Sequence, residues 1–474
     1  MKEAGVELAG MGAAELARRI ALRDIAPSEV MAAHLTRIEA ANPAITAIVS
    51  LRDPDTLMAE AQALDDVAPR GVLHGLPIAV KDLVAVQGLR TTWGSPLFAD
   101  FVPGADDLVA ARMRAAGAIF IGKTNTPEWG HGSHSFNPVF GATRNPYDLT
   151  RSAGGSSGGA AAALAARMVP LADGSDMMGS LRNPAAFCNI YGFRPTWGLV
   201  PGDAMGDSFM ATLATEGPMA RNIEDLALLL AVLAGENPEV PFGRPTAPYG
   251  DLLQTDLRGK RIGWLGDWGG AYPCESGILD MCRAGLQVLA DQGAQIEDIP
   301  PPFPAEQLWQ AWTTLRAFLN AGAKGGLRDT PASWDKLKPE TQWEIEQGLG
   351  LTAAEVHAAS VIRSRWYARA AKLFRRFDAL VMPAAQVWPF PVEWRWPQQI
   401  NGQMMDTYHR WMEVVVPVSL IGLPALALPC GFGPDRLPMG MQLIGRTGSD
   451  AEILAMGQCY HLATDWPGRR PPPL

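Results

Sequence analysis

The sequence predicts an α/β fold, with a largely parallel or mixed sheet and helices on both faces. Two observations carry this. From about residue 72 onward, short apolar runs bounded by turn residues alternate with segments of helical periodicity. Of the 474 residues, 47% are hydrophobic and 19% charged, enough core for a large globular body and too much for a disordered chain. The length allows about three domains or one large α/β body.

Residues 13–21 and 28–40 place apolar side chains three and four apart with Arg and Glu between them, and 55–64 continues the pattern, so the chain opens with helices. Residues 76–80 then read as a buried strand, 108–116 as a helix and 118–122 as a strand. The Ala-rich run 159–167 is a helix, and 168–172 a strand leading into a Gly/Ser/Met turn. Residues 222–234 form a helix and 261–265 a strand. A capping box, Thr352-Ala353-Ala354-Glu355, opens a helix to about Phe377. Its Arg363, Arg365, Arg369, Lys372 and Arg376 read as a solvated face. The stretch 235–259, rich in Pro and Gly, is the clearest soft boundary, and there is no internal repeat.

The 40 Lys and Arg against 49 Asp and Glu leave a net charge of −9. A nucleic-acid or anionic-membrane surface needs concentrated positive charge, so neither partner is expected. Five cysteines, Cys188, Cys274, Cys282, Cys430 and Cys459, show no CxxC spacing and read as reduced thiols. Seven histidines without an HExxH pattern predict no metal site. No secretory segment is recognisable, and the expected location is cytoplasmic. Residues 414–434 are uncharged and long enough to span a bilayer, but Pro417, Pro424 and Pro429 interrupt them. That stretch reads as buried strand-and-turn core.

Two Ser/Gly-rich turns stand out. Gly154-Gly155-Ser156-Ser157-Gly158-Gly159 opens directly into the Ala-rich helix, where free N–H groups and positive potential gather. It matches neither GxxxxGK[ST] nor GxGxxG, so a phosphate loop is the weaker reading. Asp173-Gly174-Ser175-Asp176-Met177-Met178-Gly179-Ser180 is a second turn, whose backbone N–H groups can converge on one oxygen. Lys81 ends the apolar run Gly75-Leu76-Pro77-Ile78-Ala79-Val80-Lys81, and a lysine so placed is paired or functional.

Lys81, Ser156 and Ser180 at these spacings closely resemble the amidase signature family of serine hydrolases. The resemblance covers nearly the whole chain. It extends through Gly122-Lys123-Thr124-Asn125-Thr126-Pro127-Glu128, Ser180-Leu181-Arg182-Asn183-Pro184-Ala185, Gly192-Phe193-Arg194-Pro195-Thr196 and Leu437-Pro438-Met439-Gly440-Met441-Gln442. It implies the amidase signature fold, a large mixed twisted β-sheet covered by helices on both faces. One domain would span 1–474, with a catalytic core at 65–235 and a variable, substrate-covering segment at 300–415. It also implies a Ser–cisSer–Lys triad, with the cis bond between Gly155 and Ser156. Neutral Lys81 would deprotonate Ser156, which relays the proton from Ser180, the nucleophile. A free lysine titrates near about 10.4, so burial must depress it. Amides of Met177, Met178, Gly179 and Ser180 would surround the oxyanion. Ser157 would support the relay, while Asp176 and Arg182 are expected to be structural and Cys188 core. No cofactor is implied.

Relatives usually carry small residues where this chain has Met177-Met178, which puts the acyl pocket's shape in doubt and would strain Met178 if it needed positive φ. Trp388, Phe390, Trp394, Trp396, Met404, Met405, Tyr408 and Trp411 either line a broad apolar site or pack beneath a long loop. Trp309, Trp312 and Phe318 read as packing, and Trp129, His131 and His134 as neighbours of the acyl pocket. The expected activity is hydrolysis of apolar or aryl amides, carbamates or hydrazides, with a small-molecule substrate and water as partners and homo-oligomerisation left open. The alternatives are the glutaminase component of a tRNA-dependent amidotransferase and a non-catalytic nucleotide- or ligand-binding protein.

Overall fold

The computed structural model describes residues 7–202 and 206–474. Its centre is an eight-stranded mixed sheet. From one edge the strands run Gln295–Asp298, Arg261–Trp264, Ala379–Pro383, Pro438–Ile444, Ala425–Phe432, Tyr191–Arg194, Thr215–Ala220 and Ala172–Asp176. The first three are mutually parallel, and every later pairing is antiparallel. Alternate residues of a strand face opposite sides. Accordingly Gly440 lies against Ala186 of the helix Arg182–Phe187, while its neighbour Met441 lies against Gly285 of Ile278–Asp291. Helices therefore cover both faces, as the sequence predicts.

A separate three-stranded sheet sets Ile119–Thr124 between Ile48–Val49 and Pro77–Lys81. The Ala-rich helix Gly158–Ala165 is buried along its whole length, its small side chains leaving it free to sit close to its neighbours. Most helices match the periodicity to within a residue or two. The helix Pro27–Ile45 runs past its expected end and contains Pro43. The capping box at Thr352 forms as expected and opens Ala353–Leu373, on which Arg365, Arg369 and Lys372 are exposed, with exposed Arg376 just past its end. Arg363 departs from that face, since it is half-buried and donates to Thr212 Oγ1 at 2.6 Å.

Two expectations need correction. The strand expected at 168–172 lies instead at Ala172–Asp176 and pairs antiparallel with Thr215–Ala220. The apolar run before it is buried connection: Met168 N–H returns to Ala163 O at 2.8 Å. Of residues 414–434, 414–431 are buried as expected, but a short helix, Val416–Leu420, precedes the strand Ala425–Phe432. Among the described residues, no helix is long and apolar enough to cross a membrane.

Candidate active site

Lys81 is the last residue of a strand buried throughout. Its backbone N–H donates to Asp173 Oδ1 at 3.0 Å, which ties the strand end to the segment that leads to Ser180. The Lys81 Nζ lies 2.9 Å from Ser156 Oγ, 2.8 Å from Ser157 Oγ and 2.9 Å from Ser175 Oγ. The Gly155–Ser156 peptide bond is cis. Ser180 is buried, and its carbonyl accepts the Ser157 N–H at 3.3 Å, which holds the two Ser-bearing turns together.

Burial pulls the Lys81 amine down to about 8, against the upward pull of the Glu216, Asp173 and Asp176 carboxylates. A neutral amine has two N–H donors and one lone pair, so of three surrounding hydroxyls two accept and one donates. Ser157 Oγ is oriented by the Ser175 backbone, 3.4 Å from both its carbonyl oxygen and its N–H. A hydroxyl that donates to the Ser175 carbonyl presents its oxygen to Lys81. Ser156 then suits the lone pair.

Asp176 and Arg182 form a second, fully buried cluster beside the turn. Arg182 donates to both Asp176 oxygens at 2.9 Å, to Gln442 Oε1 at 2.6 Å and to Ser419 Oγ at 2.7 Å. Arg194 lies 3.1 Å from the same carboxylate. Burial alone would raise the Asp176 carboxyl, but the two guanidiniums outweigh it and hold it far below the usual carboxylate range. Asp176 also accepts the N–H groups of Gly179 at 2.8 Å and Leu181 at 3.2 Å. The Gly179 amide, expected to face an oxyanion, is thereby engaged within the turn. The positive φ of the turn falls on Gly179, at 80°, and not on Met178, so Met178 carries no such strain. Met178 is 2% exposed and packs in the main core. Met177 is half-buried, with Arg316 Nη1 3.2 Å from its sulfur. Arg316 is in turn held by Glu344 at 2.5 Å and Tyr408 at 2.9 Å, which ties the helix Ala305–Lys324 to the turn that carries Ser180.

The other candidates take structural places. His131 sits between Thr341 Oγ1 and Asn320 Oδ1, each at 2.9 Å, and burial holds it well below its ordinary value. His134 lies between Ser152 Oγ and the Val392 carbonyl and is pulled to about 4 by burial. Cys188 is buried, its thiol pushed upward. Phe390, Tyr408 and Trp411 are buried packing, as are Trp309 and Trp312, while Trp394 and Met404 are exposed. Trp396, Tyr408 and Trp411 border a space of only about 10 Å³. Among the described residues, no group of three or more His, Cys, Asp or Glu is placed to hold a metal ion.

A larger opening of about 500 Å³ lies elsewhere, walled by Leu83, Trp93, Phe98 and Trp129, with Lys324 and Leu327 also on its lining. It adjoins the serine cluster through Gly130. A Cβ there would lie 3.0 Å from Leu83 and 3.4 Å from Ser156 Oγ, and the residue has φ of 73°. The sequence reading missed Ser175 and this opening. Ser175 lies inside the segment Asp173–Ser180, and no local pattern joins Trp93 to Trp129.

A family model described as Amidase matches residues 29–454. The chain belongs to the amidase signature family. This amidase is 32% identical to an acylamidase of Rhodococcus erythropolis, over 97% of each chain. It is also 35% identical to a component of the glutamyl-tRNA(Gln) amidotransferase of Chloroflexus aurantiacus, covering 95% of this chain and 96% of that one. The solved structure of a bacterial aryl acylamidase superposes on the amidase with a TM-score of 0.90 at 29% identity, covering 97% and 99% of the two chains.

Proposed function

We propose that this amidase cleaves the carbonyl–nitrogen bond of apolar or aryl amides through an acyl-enzyme on Ser180. The observation that carries the assignment of roles is the Lys81 amine within 2.9 Å of three serine hydroxyls, one of them directly after the cis peptide. Neutral Lys81 takes the Ser156 proton as Ser156 takes the proton of Ser180, and the Ser180 oxygen bonds to the substrate carbonyl carbon. The negative charge that develops on the carbonyl oxygen meets the amides of Met177, Met178 and Ser180, since the Gly179 amide is held by Asp176. As the C–N bond breaks, Ser156 delivers a proton to the leaving nitrogen and regains one from Lys81. Water then adds to the acyl carbon by the same relay and releases the acid. Carbamates and hydrazides present the same carbonyl–nitrogen unit. We further propose a single domain spanning the chain and a cytoplasmic setting; the net charge of −9 supports the absence of nucleic-acid or anionic-membrane partners.

Likeness to the amidotransferase component supports a second reading, glutamine hydrolysis for a partner. The aromatic walls beside Ser156 favour the first, because an aryl group can pack against them whereas the ammonia released from glutamine has no apolar surface to place there. A panel of anilides, primary amides, aryl carbamates, esters and glutamine, with Ser180→Ala as control, decides between them. Anilide turnover that Ser180→Ala abolishes is expected; turnover of glutamine alone would transfer the assignment to the second reading.

A further inference from the structure

The opening beside Ser156 is walled by a packed aromatic cluster. Trp93 and Trp129 stack with ring centroids 6.0 Å apart and planes 13° from parallel, and Phe98 meets both rings edge-on at 4.9 and 5.4 Å. Both tryptophans hold positive φ, 50° for Trp93 and 53° for Trp129. For a bulky side chain this backbone is strained, and such strain persists only where the surroundings impose it. Here they do. Trp129 N–H donates to Trp93 O at 2.8 Å, and Trp93 Nε1 donates to Leu83 O at 3.1 Å. Next to Trp129, Glu128 accepts from Ser95 Oγ and from the backbone N–H of Lys338, each at 2.8 Å. The aromatic wall is preformed.

A cation faces this wall. Lys324 Nζ stands 5.6 Å from the centre of the Trp129 ring and donates to Asn320 Oδ1 at 3.0 Å. Among the described residues no carboxylate lies within ion-pair distance of it, which sets it apart from Arg316, paired with Glu344 on the same helix. Burial and the neighbouring Arg316 charge pull its amine down to about 8, opposed by the more distant Glu344 and Glu128. A half-buried ammonium without a counter-ion is matched by an anion that a ligand brings.

The side of the triad on which the opening lies decides which half of a substrate enters it. Gly130 and Leu83 connect it to Ser156, the group that delivers a proton to the departing nitrogen, whereas Met177 and Arg316 stand at the nucleophile turn. We infer that the opening is a leaving-group subsite for an aromatic amine bearing an acidic substituent, so that the preferred substrates are N-acyl derivatives of aminobenzoate-like amines, with the arene against Trp93 and Trp129 and the carboxylate on Lys324. The inference rests on the amide-hydrolase reading and adds the identity of the departing half.

The test compares kcat/KM of the protein on acetanilide, 4-acetamidobenzoate, 3-acetamidobenzoate and the primary amide benzamide, for wild type, Lys324→Met, Lys324→Arg and Trp93→Leu. Wild type should prefer at least one acetamidobenzoate over acetanilide. Lys324→Met should lower that preference about tenfold, the size of a charge contact in a partly buried site, and Lys324→Arg should restore it. Trp93→Leu should lower the anilides about fivefold relative to benzamide, mostly through KM. Turnover of benzamide with no preference among the anilides, or an equal loss on all four substrates in Lys324→Met, would overturn the subsite while leaving the hydrolase intact. No turnover of any substrate together with failure of a fluorophosphonate to label Ser180 would overturn both.

Discussion

Lys81 and Lys123 stand one register step apart on neighbouring parallel strands, Val80 opposite Lys123 and Lys81 opposite Thr124. Both are completely buried, and burial pulls both amines to about 8 against nearby carboxylates. The two amines are shifted in the same direction by the same cause. Their surroundings differ: Lys81 reaches three serine hydroxyls, whereas Lys123 donates to the Val84 carbonyl. A hydroxyl exchanges protons with an amine and a carbonyl oxygen only accepts, so the first lysine suits a relay and the second a structural tie. A depressed pKa marks burial; the neighbours determine its use.

The sharpest way to break this comparison is to remove each amine. Lys81→Ala should lower kcat/KM for amides about 10⁴-fold, with esters less affected because their leaving group needs less protonation. Lys123→Met should instead lower stability by about 1–3 kcal/mol, from the stranded Val84 carbonyl, and leave the folded enzyme active. Active-site titration with a fluorophosphonate, alongside thermal melts, separates the two. Wild-type amide turnover by Lys81→Ala would falsify the relay.

Next in size is the buried cluster beside the turn. Asp176→Asn leaves Arg182 and Arg194 without their carboxylate and should destabilise by about 3–5 kcal/mol, read from denaturant midpoints. Because Met178 packs in the core, Met178→Ala should cost about 2–5 kcal/mol with little change in acyl preference. A shift between acetyl and benzoyl anilides at Met178, rather than at half-buried Met177, would move Met178 from the core to the pocket.

The pH profile sharpens the comparison with smaller steps. Protonated Lys81 has no lone pair, so kcat/KM should fall about tenfold per pH unit below about 8 and level off above it. Neither His131 nor His134 should add a step near neutrality, since both remain uncharged there. A limb centred near 6.5 that disappears in His131→Asn would contradict the assignment. Smallest of all, Ser175→Ala should reduce kcat only severalfold, because Ser156 and Ser157 still hold the amine.

What the sequence determined by itself was whatever local pattern encodes. Helical periodicity placed Ala13–Ala21 and the capped helix at Thr352; the two Gly/Ser turns and the strand-end lysine stood out locally, and the resemblance to the amidase signature family joined Lys81, Ser156 and Ser180. The polar strand Ala172–Asp176 was read as a turn because its Asp and Ser side chains look like turn residues. Its Asp173 and Asp176 side chains are buried because Lys81, Arg182 and Arg194 arrive from other parts of the fold to meet them. The commitment of the Gly179 amide to Asp176 is likewise a matter of how the turn closes. The aromatic opening lay furthest from view, since Leu83, Trp93, Trp129 and Lys324 come from separate segments with no shared period. Periodicity reports which face of an element is buried. Which distant side chains then meet is decided by packing, and there the tertiary structure placed both the fourth hydroxyl around the site and the cation on its aromatic wall.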